Sequence, residues 1–198
     1  MTTAGKTRQT LLKKIKNQYD EKAWNEFVAF YRPYIYRIIQ NHYKINNVDR
    51  EDVIQEVLLV SWKKLPDFEY SSAKGRFRSW LGRVTTNTTL AFYRKNNKEK
   101  PLSESEEFVH ENQAAPPEIE KIYQQEWEKH ITDTAWTNIS SMFEENVLEA
   151  FQRLAAGEEG KIVAKELGLS INSVYVYKKR VLAAFQKEIA YLDDEINS

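Results

Sequence analysis

GKIVAKELGLSINSVYVYKK, residues 160–179, is the most informative stretch of this sequence. Ala164 stands four residues before Gly168, and Val174 stands six residues after it, which is the spacing of a helix-turn-helix. A small residue at Ala164 lets the second helix cross closely, and Gly168 permits the positive φ of a tight turn. Ser170 is a favourable N-cap for the second helix. The stretch therefore predicts two short helices joined by a turn.

The second of these helices would present polar and cationic side chains outward. Polar residues near its N-terminus suit base edges in the major groove, and cations suit phosphates. The outward residues are Asn172, Ser173, Tyr175, Val176, Lys178 and Lys179, with Arg180 close behind. An ordinary helical hairpin with solvated lysines is the alternative. The complete spacing and the cap favour DNA binding.

The composition of the chain predicts an all-α protein. The 198 residues are 41% apolar and include 25 aromatic side chains, so packed cores are expected rather than disorder. Six glycines and five prolines suggest few tight turns. The absence of cysteine excludes disulfides and thiolate metal sites, and no apolar run is long enough for a membrane span or a signal peptide. We expect a cytoplasmic protein without a membrane association.

The charges are segregated along the chain although they cancel, 29 Lys and Arg against 29 Asp and Glu. Residues 71–98 contain seven cations and no acid, where an even distribution would place about four acids. Residues 99–120 contain seven acids and one cation, and residues 160–190 are basic again. This alternation predicts two basic helical regions separated by an acidic linker.

Three helices are predicted in the first half of the chain. Apolar spacing indicates a helix over residues 21–43, in which Pro33 predicts a kink or two shorter helices. Asp49 is the expected N-cap of a second helix that ends near Lys64, before Pro66. A third helix is expected over residues 77–94, weakened locally by Gly82.

Two features of these helices suggest binding. Asp52, Gln55, Glu56 and Leu59 fall on one face of the second helix, opposite its apolar side; solvation alone would account for such a face. In residues 68–98, cations alternate with aromatic residues, a combination suited to single-stranded nucleic acid. The aromatic residues also have the spacing of a helix core, but core packing does not account for the absence of acids.

At these residues the chain resembles the extracytoplasmic-function (ECF) sigma factors of bacterial RNA polymerase. DVIQEVLLVSW, from residue 52, is similar to the family's polymerase-binding helix, and RSWLGRVTTN, from residue 78, to its promoter-melting helix. The resemblance covers residues 21–98 and about 136–189. It implies a tail over residues 1–20 that includes the start of the first helix, a region-two domain over 21–98, and an acidic linker over 99–120. A region-four helix-turn-helix domain over 121–192 and a polar tail over 193–198 follow.

The resemblance also implies roles for individual residues. Asp52, Gln55, Glu56 and Leu59 would bind core RNA polymerase at its β′ clamp helices, with the β subunit as a further contact. The minus-ten promoter element would be bound by Phe68, Tyr70, Lys74, Arg76, Arg83, Asn87, Arg94 and Lys95. The minus-thirty-five element would be bound by Ser170, Asn172, Ser173, Tyr175, Val176, Lys178, Lys179 and Arg180. An anti-sigma factor is a further partner of such proteins, and neither a cofactor, a metal nor a catalytic residue is implied.

Two other classes of protein were weighed. A stand-alone helix-turn-helix regulator would bind DNA tightly without polymerase, but the zero net charge and the second basic helix count against it. For an enzyme, the three histidines are widely spaced, and no HExxH, phosphate-binding loop or dinucleotide fingerprint is present. A sigma factor, which catalyses nothing itself, is therefore the favoured interpretation.

Overall fold

A computed structural model describes residues 7–17, 20–68, 77–96 and 116–193. Within these ranges the chain forms eight α-helices and a 3-10 turn at Leu65–Asp67, with no strand, which confirms the all-α class. The helices are α1 (Thr7–Ile15), α2 (Glu21–His42), α3 (Asn47–Lys64), α4 (Phe77–Lys95), α5 (Pro117–Ser140), α6 (Glu145–Ala155), α7 (Gly160–Glu166) and α8 (Ile171–Asp193). None of these helices is both long and apolar enough to cross a membrane.

The chain divides into two compact units, Met1–His130 and Ile131–Ser198. The division lies inside α5, whereas the sequence places the start of the second domain at residue 121. The first part of α5 belongs to the first unit because its buried side chains, Tyr123, Trp127 and His130, pack there. Most of the predicted acidic linker, residues 99–115, lies outside the described residues.

The structure corrects two local expectations in the first unit. Helix α2 runs through Pro33 as one helix, so of the two alternatives at Pro33 the pair of shorter helices is wrong. The backbone hydrogen bond that Pro33 lacks would reach the carbonyl of Ala29, which is an exposed position where water can replace it. The N-cap of α3 is Asn46, whose side chain accepts a hydrogen bond from the Asp49 amide at 2.9 Å. Asp49 instead lies in the first turn, where its charge favours the helix dipole.

Helix α1 was not predicted as a separate element. Its residues Leu11 and Ile15 are buried, and α1 packs on α2. Together α2, α3 and α4 form the core of the first unit, which is rich in aromatic contacts between Phe27, Tyr31 and Phe77. The predicted C-terminal end of α3 at Lys64 and the predicted start of α4 at Phe77 agree with the structure, whereas α3 begins three residues before the start that an Asp49 cap implies.

The second unit has a small apolar core between α6, α7 and α8. Ala150, Leu154, Val163, Ala164 and Val174 are all buried in one cluster. Leu167 and Leu169, on either side of the turn, pack against it. The core fixes the angle between α7 and α8 and so determines which residues of α8 face outward.

Candidate nucleic-acid interface

The predicted polymerase-binding residues share one exposed face of α3. Asp52, Gln55 and Glu56 are exposed, and Leu59 is 45% exposed although it is apolar. Val53, Ile54 and Val57 are buried on the opposite side and hold α3 against the core. The face is therefore available for a partner, and Leu59 gives it an apolar centre.

A cavity of about 550 Å³ lies beside this face, between α3 and α4. Asp52 and Glu56 line it from α3, and Asn87, Thr88 and Lys95 line it from α4. Residues that the sequence assigned to two different partners, polymerase and the minus-ten element, thus border the same groove.

The predicted minus-ten residues on α4 differ in their exposure. Arg94 and Lys95 are exposed near the C-terminus of the helix. Arg83 is only 1% exposed and Asn87 only 4% exposed. Phe68 is half-buried, with its ring 5.3 Å from that of Phe77 and 5.1 Å from that of Trp80. Tyr70, Lys74 and Arg76 lie outside the described residues.

The burial of α4 has a cause that the sequence did not reveal. All residues from Phe77 to Asn87 are buried, which requires neighbours on every side of the helix. Helices α2 and α3 cover one side, and residues 120–127 of α5 contact the other. The signal in the sequence is the spacing of Glu120, Tyr123, Trp127 and His130, three and four residues apart on one face of α5.

In the second unit, the turn between α7 and α8 has the predicted geometry. Gly168 adopts φ +65°, in the left-handed region that favours glycine. The Ser170 hydroxyl accepts a hydrogen bond from the Ser173 amide at 3.0 Å, as expected of an N-cap. Ala164 is 3% exposed and Val174 fully buried, so both occupy the crossing of the two helices.

The predicted DNA-binding residues of α8 lie mainly on its outer side. Ser170, Asn172, Tyr175, Val176, Lys179 and Arg180 are exposed, whereas Ser173 and Lys178 are half-buried. The Tyr175 hydroxyl lies over Gly160, close enough that a Cβ atom there would come within 2.8 Å of it. Gly160 therefore allows the Tyr175 ring to lean toward the start of α7.

An ion-pair network fixes the loop before α7. The Arg153 guanidinium donates to the Glu158 carboxylate at 2.7 Å and to the Glu166 carboxylate at 2.5 Å. These hydrogen bonds raise the pKa of Arg153, and the same guanidinium lowers the pKa of Glu158. The network joins the end of α6 to α7 and positions the helix pair.

Comparison with known proteins identifies relatives of the first unit. Residues 27–99 match the family model for sigma-70 region 2. A stretch of 67 residues is 36% identical to the ECF RNA polymerase sigma factor SigG from two strains of Mycobacterium tuberculosis, CDC 1551 / Oshkosh and ATCC 25618 / H37Rv. This stretch covers 33% of the present chain and 17% of SigG. The family-model match confirms the resemblance to sigma factors over residues 27–99, whereas the resemblance of residues 136–189 to region four stays a prediction.

Among solved structures, the chain is similar to CnrH in complex with the cytosolic domain of CnrY. The identity is 19%, the TM-score is 0.38, and the match covers 91% of this chain and 95% of CnrH.

Proposed function

We propose that this chain, whose residues 27–99 match sigma-70 region 2, is a transcription initiation factor that brings core RNA polymerase to specific promoters. The observation that carries the proposal is the exposed face of α3 within the matched segment. Asp52, Gln55 and Glu56 precede the exposed Leu59 on the same face of α3. Polar groups around an apolar centre are typical of a protein interface.

In this proposal the two units have different tasks. The α3 face binds the clamp helices of the polymerase β′ subunit in the cytoplasm, with the β subunit as a second contact. The α7–α8 pair reads the minus-thirty-five element in the major groove. An anti-sigma factor is the further partner implied by the resemblance. The first unit recognises and opens the minus-ten element.

Opening the promoter is the energetically demanding step. Unstacking a base costs a few kcal/mol, and stacking a freed base on an aromatic side chain returns about 1–3 kcal/mol. Cations at Arg94 and Lys95 would hold the backbone of the opened strand, because both side chains are exposed at the end of α4. One or two captured bases would then offset the cost of a local opening.

The zero net charge supports a division of labour with polymerase. Neutralisation of phosphates supplies most non-specific DNA affinity, so a chain with 29 cations and 29 acids should bind DNA weakly by itself. Strong promoter binding is then expected only in the complex with polymerase.

The proposal is tested by separating polymerase binding from promoter opening. Arg94→Ala with Lys95→Ala should reduce permanganate reactivity of opened thymines while the polymerase complex persists. Gln55→Ala with Glu56→Ala should abolish the complex itself. The adjacent, exposed pair Lys13 and Lys14 near the end of α1 provides a matched charge control. Equal effects of the first two double variants in both assays would contradict the assigned roles.

A further inference from the structure

Helix α4 is covered by the first part of α5, which also contacts α2. Residues 117–130, the first part of α5, lie against α4 and are termed the cover segment. Their inward side chains Tyr123, Glu126, Trp127 and His130 are each at most 3% exposed. Arg83, which the family resemblance assigns to promoter DNA, is 1% exposed in this arrangement.

The closest contact is between Tyr123 and Gly82. A Cβ atom at position 82 would lie 2.6 Å from Cγ and Cδ1 of the Tyr123 ring, so the ring occupies the space that any other residue would need. The Tyr123 hydroxyl and the Thr86 hydroxyl are 2.9 Å apart. The Tyr34 hydroxyl lies 3.3 Å from the Tyr123 carbonyl oxygen and 3.2 Å from that of Arg78. The absence of a side chain at Gly82 therefore leaves the space that the Tyr123 ring fills.

The cover segment also engages polar groups at the start of α4. The Arg78 guanidinium donates a hydrogen bond to the side-chain oxygen of Gln124, and the Ser79 hydroxyl donates one to the Glu120 carboxylate. An acid, an amide and an aromatic ring present the same chemistry that a DNA strand offers, namely negative charge, acceptors and a flat ring. The cover segment therefore occupies α4 as a strand of nucleic acid would.

A second set of contacts holds the cover segment on α2. The Glu126 carboxylate accepts a hydrogen bond from Asn41 at 3.0 Å, lies 3.1 Å from the His42 ring nitrogen, and pairs with Arg37 at 3.4 Å. The Trp127 ring packs edge-on against Tyr34 at 5.3 Å between centroids. These polar contacts can be exchanged for water or for another polar partner at modest net cost, whereas undocking also exposes the buried Tyr123 and Trp127 rings.

We propose that the cover segment is a reversible, built-in block of the side of α4 that carries Arg78, Ser79 and Thr86. While it is docked, promoter DNA cannot reach the Arg78 guanidinium, which is 3% exposed; when it leaves, this side of α4 becomes available for the minus-ten element. The polymerase-binding face of α3 stays exposed in either state. This inference rests on the function proposed above.

A disulfide lock tests the block, because the natural chain has no cysteine. A Cβ atom at position 82 would lie 2.6 Å from Cγ of Tyr123, and the sulfur of a cysteine at 123 would stand close to the place of that Cγ, so the two positions are near enough for a disulfide. The double variant Gly82→Cys with Tyr123→Cys would hold the cover segment in place when oxidised and release it when reduced.

The assay uses core RNA polymerase and a promoter selected from randomised duplex DNA with the unmodified chain. The oxidised double variant should keep the polymerase complex on gel filtration and lose permanganate-detected opening, and reductant should restore the opening. The single variant Tyr123→Cys, oxidised in parallel, controls for the redox treatment.

Any other outcome contradicts the proposal that the cover segment blocks α4. Equal opening by the oxidised and reduced double variant would show that α4 functions with the segment in place, and the proposed function would stand. Loss of the polymerase complex on oxidation would mean that the segment affects polymerase binding instead. If the unmodified chain itself forms no polymerase complex, the proposed function fails, and the block fails with it.

Discussion

Gly82→Ala adds one methyl group at the tightest contact between α4 and α5. The new Cβ atom would lie 2.6 Å from Cγ of Tyr123, whereas ordinary contact begins at 3.4 Å, so the ring must withdraw by about 1 Å. Cγ is the ring atom nearest the backbone, and the ring is 1% exposed, so side-chain rotation cannot relieve the overlap. The backbone of α5 must move instead.

The effect of Gly82→Ala on docking is the free-energy change of the docked form minus that of the undocked form. Overpacking a buried contact costs about 1–3 kcal/mol. The gain in helix propensity from replacing glycine, about 1 kcal/mol, applies to α4 in both forms and cancels from the docking equilibrium. Docking of residues 117–130 should therefore weaken by about 5- to 150-fold.

Hydrogen exchange of the α5 amides measures this change directly. Exchange in residues 117–130 should accelerate by the same factor, because local opening controls the rate, while the amides of α6 to α8 keep their rates. The same substitution in a Tyr123→Ala background should have little effect, since the obstructing ring is gone. Unchanged exchange in Gly82→Ala, or an equal effect in both backgrounds, would refute the interlock.

Three further predictions concern other contacts. Gly168→Ala should destabilise the second unit by about 1–2 kcal/mol through backbone strain, because residue 168 has φ +65° and the new methyl group meets open space. The effect is measured as a lower unfolding midpoint, and Ala155→Gly on the exposed surface of α6 is the comparison. Asn46→Ala should destabilise the first unit by about 1 kcal/mol, and more than Asn25→Ala on the exposed surface of α2 does, because Asn46 is the N-cap of α3; the reverse order in urea denaturation would contradict that cap. Burial alone would raise the pKa of Glu126. The hydrogen bonds from Asn41 and His42 and the charges of Lys129 and His42 outweigh burial, so the pKa lies below the ordinary 4.5. The ionised Glu126 carboxylate should therefore stabilise the docking of α5 above about pH 4.5, and this stabilisation should be lost as the pH falls through the lowered pKa. The loss is measured as faster hydrogen exchange of the α5 amides after correction for intrinsic rates. Glu126→Gln should remove this pH dependence.

The sequence was sufficient where structure is determined by neighbours along the chain. The C-terminal end of α3 and both ends of α4 follow from apolar spacing and from Pro66, and the turn at Gly168 follows from its requirement for positive φ. The cap of α3 was misassigned because Asn46 and Asp49 are both suitable residues, and only the backbone geometry distinguishes them. Pro33 was overestimated because the carbonyl that it leaves unpaired faces solvent.

The cover of α4 could not be predicted because it joins residues far apart in sequence. Gly82 was interpreted as a weak point of its helix, whereas its missing side chain makes room for Tyr123. Likewise, Arg83 and Asn87 of α4 were assigned to promoter DNA, whereas both are buried in the structure. No periodicity in α4 or in α5 alone specifies that the two helices meet.

Complex formation with core RNA polymerase tests the central claim most directly. The purified chain is mixed with bacterial core enzyme and analysed by gel filtration beside Gln55→Ala with Glu56→Ala. The adjacent, exposed pair Asn25 and Glu26 on α2, changed to alanine, is the matched control because it also removes one amide and one carboxylate. A stoichiometric complex that only the α3 variant loses is the predicted result. No complex, together with tight binding of the lone chain to a specific DNA sequence, would contradict the account and identify a stand-alone regulator.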